Sequence, residues 1–144
     1  MELIAKSFSE LSLEELYEIV KSRAEVFLLE QHIICQDLDD MDYKSLHCFF
    51  HEDNRVTAYL RAFLLEPEVV TVGRVLTLEH GKGLGRELML QSMETIKKHF
   101  ACKKISLHAQ KQAVGFYQKL GFYAVSDEFL EEGVIHISME KLLP

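Results

Sequence analysis

Val69-Val-Thr-Val-Gly-Arg-Val-Leu-Thr-Leu78 runs through Glu79 into His80-Gly81-Lys82-Gly83-Leu84-Gly85-Arg86. The chain then repeats apolar residues at Leu84, Leu88, Met89, Met93, Ile96 and Phe100. The first ten residues are rich in β-branched side chains, which suit a pleated, half-buried surface, and they predict a strand. The repeating series, with Ser92 on the same side, has helical spacing and predicts an amphipathic helix. Lys97, Lys98 and His99 in its last turn suit the negative end of the helix dipole. Between strand and helix lies a glycine turn. Glycines let main-chain N–H groups approach an anion, and the helix N-terminus adds a favourable field, so a phosphate or pyrophosphate is the natural guest. Lys82 and Arg86 add positive charge there. A P-loop is excluded, because no Lys-Ser/Thr pair follows the glycines. A Rossmann turn is excluded too: counted from Gly81 the sixth position is Arg86, and the position where an acidic ribose ligand belongs, about 20 residues on, is Ile105. On this stretch alone, an ordinary glycine turn before a helix stays open as the plainer alternative.

Working outward, residues 2–8 read as a first strand. Ser12 starts a helix, with Glu15 three residues later completing a capping box. Leu13, Leu16, Tyr17, Val20, Ala24, Phe27 and Leu28 recur at helical spacing and predict its apolar face, with the helix ending near Gln31. Asp37-Leu-Asp-Asp-Met-Asp42 reads as a solvated acidic loop, and it lacks the glycine and terminal glutamate of an EF-hand. Leu46–Phe50 and Val56–Leu65 are strand-like around the turn signal Glu52-Asp53-Asn54. Beyond the glycine helix come a strand at Lys104–Ala109, a short helix at about 112–120 stopping at Gly121, and strands at Phe122–Val125 and Val134–Lys141. The acidic turn Glu131-Glu132-Gly133 separates the last two. Gly121 fits a left-handed helix C-cap. The order predicts an α+β fold, a single domain over residues 1–144 built around one sheet.

The bulk numbers agree with a globular chain: 144 residues, 48% apolar and 27% charged. No apolar run reaches the roughly 20 residues that span a bilayer, so no membrane association is expected. The start, Met-Glu-Leu-Ile-Ala-Lys, has neither the basic nor the apolar part of a signal peptide, and a cytoplasmic location is expected. The net charge of −7 argues against nucleic-acid binding, which relies on basic patches. It is compatible with a cationic acceptor such as an amine. Cys35, Cys48 and Cys102 are too few and too scattered for a disulfide framework or zinc site, so reduced thiols and no metal are expected.

A second motif joins the first. Phe116-Tyr117-Gln118-Lys119-Leu120-Gly121-Phe122 follows Gly83-Leu84-Gly85 by about 30 residues, and this pair in this order resembles the GNAT acetyltransferase superfamily. Phe27-Leu-Leu-Glu-Gln31, Gln36-Asp-Leu-Asp-Asp40, Gly73-Arg74-Val75 and Gly133-Val-Ile-His136-Ile-Ser-Met139 look like its ElaA-like branch, so the resemblance spans nearly the whole chain. Two departures stand out. His80 occupies a place where most members have Gln or Arg, and Ile33-Ile34-Cys35 replaces the usual Cys-Pro-Tyr before Gln-Asp.

The resemblance implies a mixed, mostly antiparallel twisted sheet flanked by helices, splayed between the strand ending near Thr77 and the strand ending near Gln110. Acyl-CoA, with acetyl-CoA as the co-substrate, would lie in that split. Main-chain groups of Val75, Leu76 and Thr77 would pair with the pantetheine arm. His80, Gly81, Lys82, Gly83, Leu84, Gly85 and Arg86 would hold the pyrophosphate, with Gln110 and Phe116 also on the cofactor side. A main-chain N–H at the split would stabilise an oxyanion. Tyr117 would protonate the leaving thiolate as general acid; the alternative is a core residue in the stripe Ala113, Phe116, Tyr117, Leu120. The acceptor, a primary amine of a small molecule or peptide, needs a base, because an unperturbed alkylamine has a pKa near 10.4. Glu30, Asp37, His47 and His136 are the candidates. Glu30 is equally a solvated helix end, and His136 equally an exposed strand histidine. Gln31, His47 and Arg74 are candidate acceptor contacts, with a structural ion pair as the other reading of Arg74. A homodimer is common in the family. The competing functions are a non-catalytic CoA-binding or regulatory module and a plain interaction domain.

Overall fold

In the computed structural model, which describes residues 1–144, every predicted element forms, and a further strand appears. The order is β1 (Ile4–Ser7), α1 (Leu13–Arg23), β2 (Leu46–Glu52), β3 (Arg55–Glu66), β4 (Val69–Thr77), α2 (Leu84–Phe100), β5 (Lys104–Gln110), α3 (Val114–Lys119), β6 (Tyr123–Ala124), β7 (Phe129–Glu131) and β8 (Val134–Leu142). The unpredicted strand is β7, three residues pairing with β8 through a tight turn at Glu132 and Gly133, both at positive φ. One eight-stranded sheet runs β1-β2-β3-β4-β5-β8-β6, with β7 also on β8. All neighbours are antiparallel except β4 and β5. The parallel pair is bridged by α2, the crossover that a parallel connection requires.

The sheet carries helices on both faces. On one, Leu88, Met89, Met93 and Ile96 of α2 and Tyr117 of α3 pack on Cys48, Phe50, Leu60, Val72, Leu107 and Met139. On the other, Ile19 and Val26 pack on Phe49, Val56, Tyr59 and Leu76. The neighbours Phe49 and Phe50 therefore serve opposite faces, as the strand period demands. This two-sided burial explains why Leu46–Phe50 reads as an unbroken buried run.

The first helix corrects one expectation. Ser12 caps it as predicted, accepting from Glu15 N at 3.0 Å while Glu15 Oε1 accepts from Ser12 N at 2.8 Å. Its buried face is not the predicted apolar stripe. Leu13, Tyr17, Ala24 and Leu28 are exposed, and Ile19, Ser22, Arg23 and Val26 are buried. These four also follow i, i+3, i+4, i+7 spacing, but two are polar, so a hydrophobicity reading passes over them. Ser22 Oγ donates to Val56 O at 2.6 Å, and Arg23 is neutralised by carboxylates. After Arg23 the helix widens into π-type turns over Ala24–Glu30 and ends at Gln31.

The acidic segment is the second correction. Three of its four aspartates are not free in solvent: Asp42 is buried, and Asp37 and Asp39 are both tied to arginines, while Asp40 stays exposed.

Candidate active site

The site begins with a parting of strands. β4 and β5 pair from Val69–Val72 against Lys104–Leu107 and no further, although β4 continues to Thr77 and β5 to Gln110. A bulge in β4 coincides with the parting. Register with β3 passes from Arg61↔Gly73 to Tyr59↔Leu76, so Arg74 and Val75 together oppose Leu60. Arg74 takes a left-handed φ of 55°, a conformation that costs a non-glycine residue on the order of 1 kcal/mol. Such a bulge bends its strand and ends regular pairing. The main-chain groups of Val75, Leu76 and Thr77 that face β5 are thus left without a strand partner, and buried main-chain polar groups require one.

A charge network holds the bulge. Arg74 donates from Nε to Asp37 Oδ1 and from Nη2 to Asp37 O, each at 2.8 Å. Arg23 takes the other side of the same residue, Nε to Asp37 Oδ2 and Nη2 to Asp37 O, each at 2.9 Å. Arg23 also reaches Asp42 at 2.7 Å, and Arg61 grips Asp39 at 2.6 and 2.7 Å. Three arginines face three aspartates, so the charges balance. Hydrogen bonds from Arg61 hold the Asp39 carboxyl down at about 2. Burial alone would raise the Asp42 carboxyl, but Arg23 and Arg61 outweigh it and keep it below the ordinary range. Arg74 is therefore a structural ion pair rather than a free clamp for an acceptor carboxylate. Asp37 is consumed in the same way and is not available as a base.

His47 is corrected too. It is 1% exposed, with Nε2 at 2.9 Å from Asp42 O and Nδ1 at 2.7 Å from Tyr59 Oη, and burial lowers its pKa. A side chain so enclosed braces the loop against β2 and β3, and an acceptor has no access to it.

The glycine turn stands at the open end of the split. Gly81 and Gly83 have φ of 77° and 74°, and Gly83 is the N-cap of α2. Gly85 serves close packing: a Cβ there would lie 3.4 Å from the Phe116 ring and 3.7 Å from Thr77 Cγ2. The first-turn N–H groups of a 17-residue helix are thereby presented beside the split, an arrangement that favours anions. Lys82 is closed onto Glu79 at 2.6 Å, whereas Arg86 is exposed and forms no ion pair. Leu84, in the first turn of α2, packs on the core edge.

Tyr117 lies in the main core, 7% exposed, edge-on to Phe116 and Phe122 with ring centroids 5.1 and 5.8 Å away. Burial pushes its phenol well above the ordinary value, so the group stays protonated.

The end of the first helix meets both lips of the split. Glu30 Oε1 lies 2.6 Å from His80 Nε2, and the other ring nitrogen of His80 lies 3.5 Å from Thr77 Oγ1. Gln110 donates to Gln31 at 2.9 Å and accepts from Gln112 at 2.6 Å. His136 is paired across the ladder with Gln110. It is buried and not the exposed strand histidine of the plainer reading: Nδ1 lies 2.8 Å from Val134 O, and Phe129 stacks on the ring at 6.0 Å. Glu131 bridges to it at 3.7 Å and to His108 at 2.8 Å. Phe129 and the contacts of Glu131 escaped the sequence reading because β7 is too short to show a period; a register drawn for the Glu132-Gly133 hairpin could have placed Phe129 opposite His136.

The comparisons bear on this geometry. The family model described as "Acetyltransferase (GNAT) domain" matches residues 5–143. The chain is 36% identical to a UPF0039 protein of Schizosaccharomyces pombe, covering 96% of this chain and 95% of that one. It is 33% identical to Protein ElaA of Escherichia coli, covering 92% and 91%. The crystal structure of Escherichia coli ElaA superposes with a TM-score of 0.90 at 32% identity over 97% of this chain and 98% of that one. An acyl-CoA N-acyltransferase from Pseudomonas aeruginosa superposes with a TM-score of 0.89 at 31% identity over 98% and 99%. Sheet order, strand parting and family match agree: the chain belongs to the GNAT acetyltransferase family, among the relatives of ElaA.

Proposed function

We propose that the chain, as one domain over residues 1–144, transfers an acetyl group from acetyl-CoA to a primary amine of a small molecule or peptide by direct attack. The observation that carries this reading is the parting of β4 from β5 after Val72 and Leu107, directly beside the glycine turn and above Tyr117. Free main-chain groups of Val75, Leu76 and Thr77 act as a third strand edge for the pantetheine arm. The α2 N-terminus with Gly81, Gly83 and Arg86 takes the pyrophosphate. Phe116, brought against Gly85, closes the floor.

Chemically, the amine nitrogen attacks the thioester carbonyl. A main-chain N–H at the bulge stabilises the oxyanion, a C–N bond forms, and the C–S bond breaks. Tyr117 gives its proton to the leaving thiolate as the C–S bond breaks: an unperturbed thiol has a pKa near 8.5, below that of a buried phenol, so the transfer is uphill by itself and serves to neutralise the thiolate in an apolar site, and the proton shed by the attacking nitrogen restores the phenol. The cluster of Glu30, Gln31, Gln110 and His136 forms the acceptor side, with no free cation to hold an acceptor carboxylate there. No helix is long and apolar enough to cross a membrane.

The packing of Tyr117 between Phe116 and Phe122 favours a second reading, a non-catalytic CoA-binding module. An acceptor screen with acetyl-CoA, read by free thiol, decides between them. Amine-dependent thiol release establishes transfer. Acetyl-CoA binding by calorimetry with no release for any amine establishes the binding module.

A further inference from the structure

His108 is the first residue of β5 beyond the parting, because pairing with β4 ends at Val72↔Leu107. It stands level with Gly73, next to the bulge at Arg74 and Val75. Leu107, Ala109 and Ile137 pack in the core under α2. The alternate residues His108, Gln110 and His136 therefore share the opposite face, where Gln31 from the end of the first helix meets Gln110. On that face the short strand β7 lays Glu131 over the far lip of the split, with Oε1 at 2.8 Å from His108 Nδ1. We infer that Glu131, with Phe129 and His136, is the seat of a second ammonium group, and that the acceptor is an α,ω-diamine. This rests on the transfer reading above and narrows it.

Hydrogen-bond roles show what the seat lacks. A carboxylate only accepts, so His108 donates from Nδ1 to Glu131 Oε1. His136 is 8% exposed, and its Nδ1 donates to Val134 O at 2.8 Å. In the neutral ring Nε2 therefore holds a lone pair. It faces Glu131 Oε2 at 3.7 Å, beyond hydrogen-bond reach, and has no other partner. Two acceptors turned toward each other call for a donor with a hydrogen for each, and an alkylammonium supplies them.

Charge and shape select the ammonium. Glu131 is paired with no lysine or arginine, only with the two histidines. Lys111, which follows the lip, is closed onto Glu128 at 2.9 Å, and Arg74 is held by Asp37. Phe129 stands edge-on to His108 with centroids 5.1 Å apart and stacks on His136 at 6.0 Å. An aromatic face beside a carboxylate attracts an organic cation. An acceptor carboxylate meets only repulsion there. From this seat to the bulge is one parted strand interval, wider than the ~4.8 Å of a paired one. An extended chain advances roughly 1.2 Å per bond, so a spacer of about four carbons between the nitrogens carries the far amine to the split.

The Glu131 side chain is 44% exposed, so its substitution leaves folding intact, and the melting temperature checks this. The experiment measures acetyl-CoA-dependent thiol release by the full chain and by Glu131→Gln with α,ω-diaminobutane, butylamine and γ-aminobutyrate. Calorimetry measures diaminobutane binding to both chains saturated with CoA. Expected for the unsubstituted chain is a kcat/KM for diaminobutane at least about tenfold above that for butylamine, with γ-aminobutyrate the poorest. Expected for Glu131→Gln is loss of that preference, through KM rather than kcat, and diaminobutane affinity weakened about tenfold. Equal kcat/KM for diaminobutane and butylamine in the unsubstituted chain overturns the proposal and leaves the transfer reading standing. A preference that survives Glu131→Gln also overturns it and reduces Glu131 to a brace between two histidines. If no amine releases thiol but diaminobutane binds in a Glu131-dependent way, the transfer reading falls and the ammonium seat stands. If diaminobutane neither binds nor reacts, and no other amine reacts, both fall.

Discussion

Asp37 holds Arg74 from two sides, Oδ1 to Nε and main-chain O to Nη2, both at 2.8 Å, while its other carboxylate oxygen is held by Arg23. The consequence lies in the backbone. Arg74 sits at φ 55° within a strand, and its guanidinium is anchored by a residue from the loop before β2. The loop before β2 is thus fastened to the bulge at which β4 parts from β5.

Asp37→Ala is expected to lower stability by about 2 kcal/mol, because it leaves two charged donors short of an acceptor, one of them on the buried Arg23. It should also reduce acetyl-CoA affinity as the bulge relaxes. Urea unfolding with calorimetry checks both. A variant as stable as the parent would mean that the Arg23–Asp42 pair suffices.

The acid limb of stability follows from the same network. The Asp39 and Asp42 carboxyls are depressed in the folded chain, with Asp39 at about 2 against an ordinary 3.8. A depressed carboxyl contributes stability that is fully present above about 3.8 and is lost as pH falls toward about 2. Asp39→Asn should flatten that part of the stability-versus-pH curve and lower the plateau above it. Thermal unfolding between pH 2 and 6 is the measurement; an unchanged slope would assign the acid sensitivity to other groups.

Tyr117→Phe is expected to lower turnover by roughly 100-fold or more while leaving acetyl-CoA affinity and the melting temperature nearly unchanged. No protein group shares a hydrogen bond with the hydroxyl, since burial is the only cause of its shift. Removing it therefore strands no partner. Unaltered turnover would make Tyr117 a packing residue between Phe116 and Phe122.

Gly83→Glu places a side chain at φ 74° and a negative charge at the N-cap of α2. Space around the added Cβ is open, so the fold survives at a cost of about 1 kcal/mol. Acetyl-CoA affinity should drop at least about tenfold through repulsion of the pyrophosphate, and high salt should recover part of it. A folded variant with unaltered affinity would remove this turn from the cofactor site.

What could be read from the chain alone was whatever local periodicity and turn chemistry encode. The Ser12–Glu15 box, the α2 stripe from Leu88 to Ile96, the β-branched run at Val69 and the glycines before Leu84 each express a preference within a few residues of themselves, and the structure keeps them all. What tertiary structure decided were relations between residues far apart. Ser22 and Arg23 are polar and read as surface, yet they are buried because Val56, Asp37 and Asp42 supply their partners. The aspartates of the loop read as solvated for the same reason, since no local signal points from Asp37 to Arg74 or from Asp39 to Arg61. His47 looked available and is enclosed; Glu30 and His80 looked separate and touch. Burial of charge is permitted only by a partner, and partners are chosen by the fold, so a single chain read in order exposes its elements and its glycine turn but leaves open which charges meet across the split.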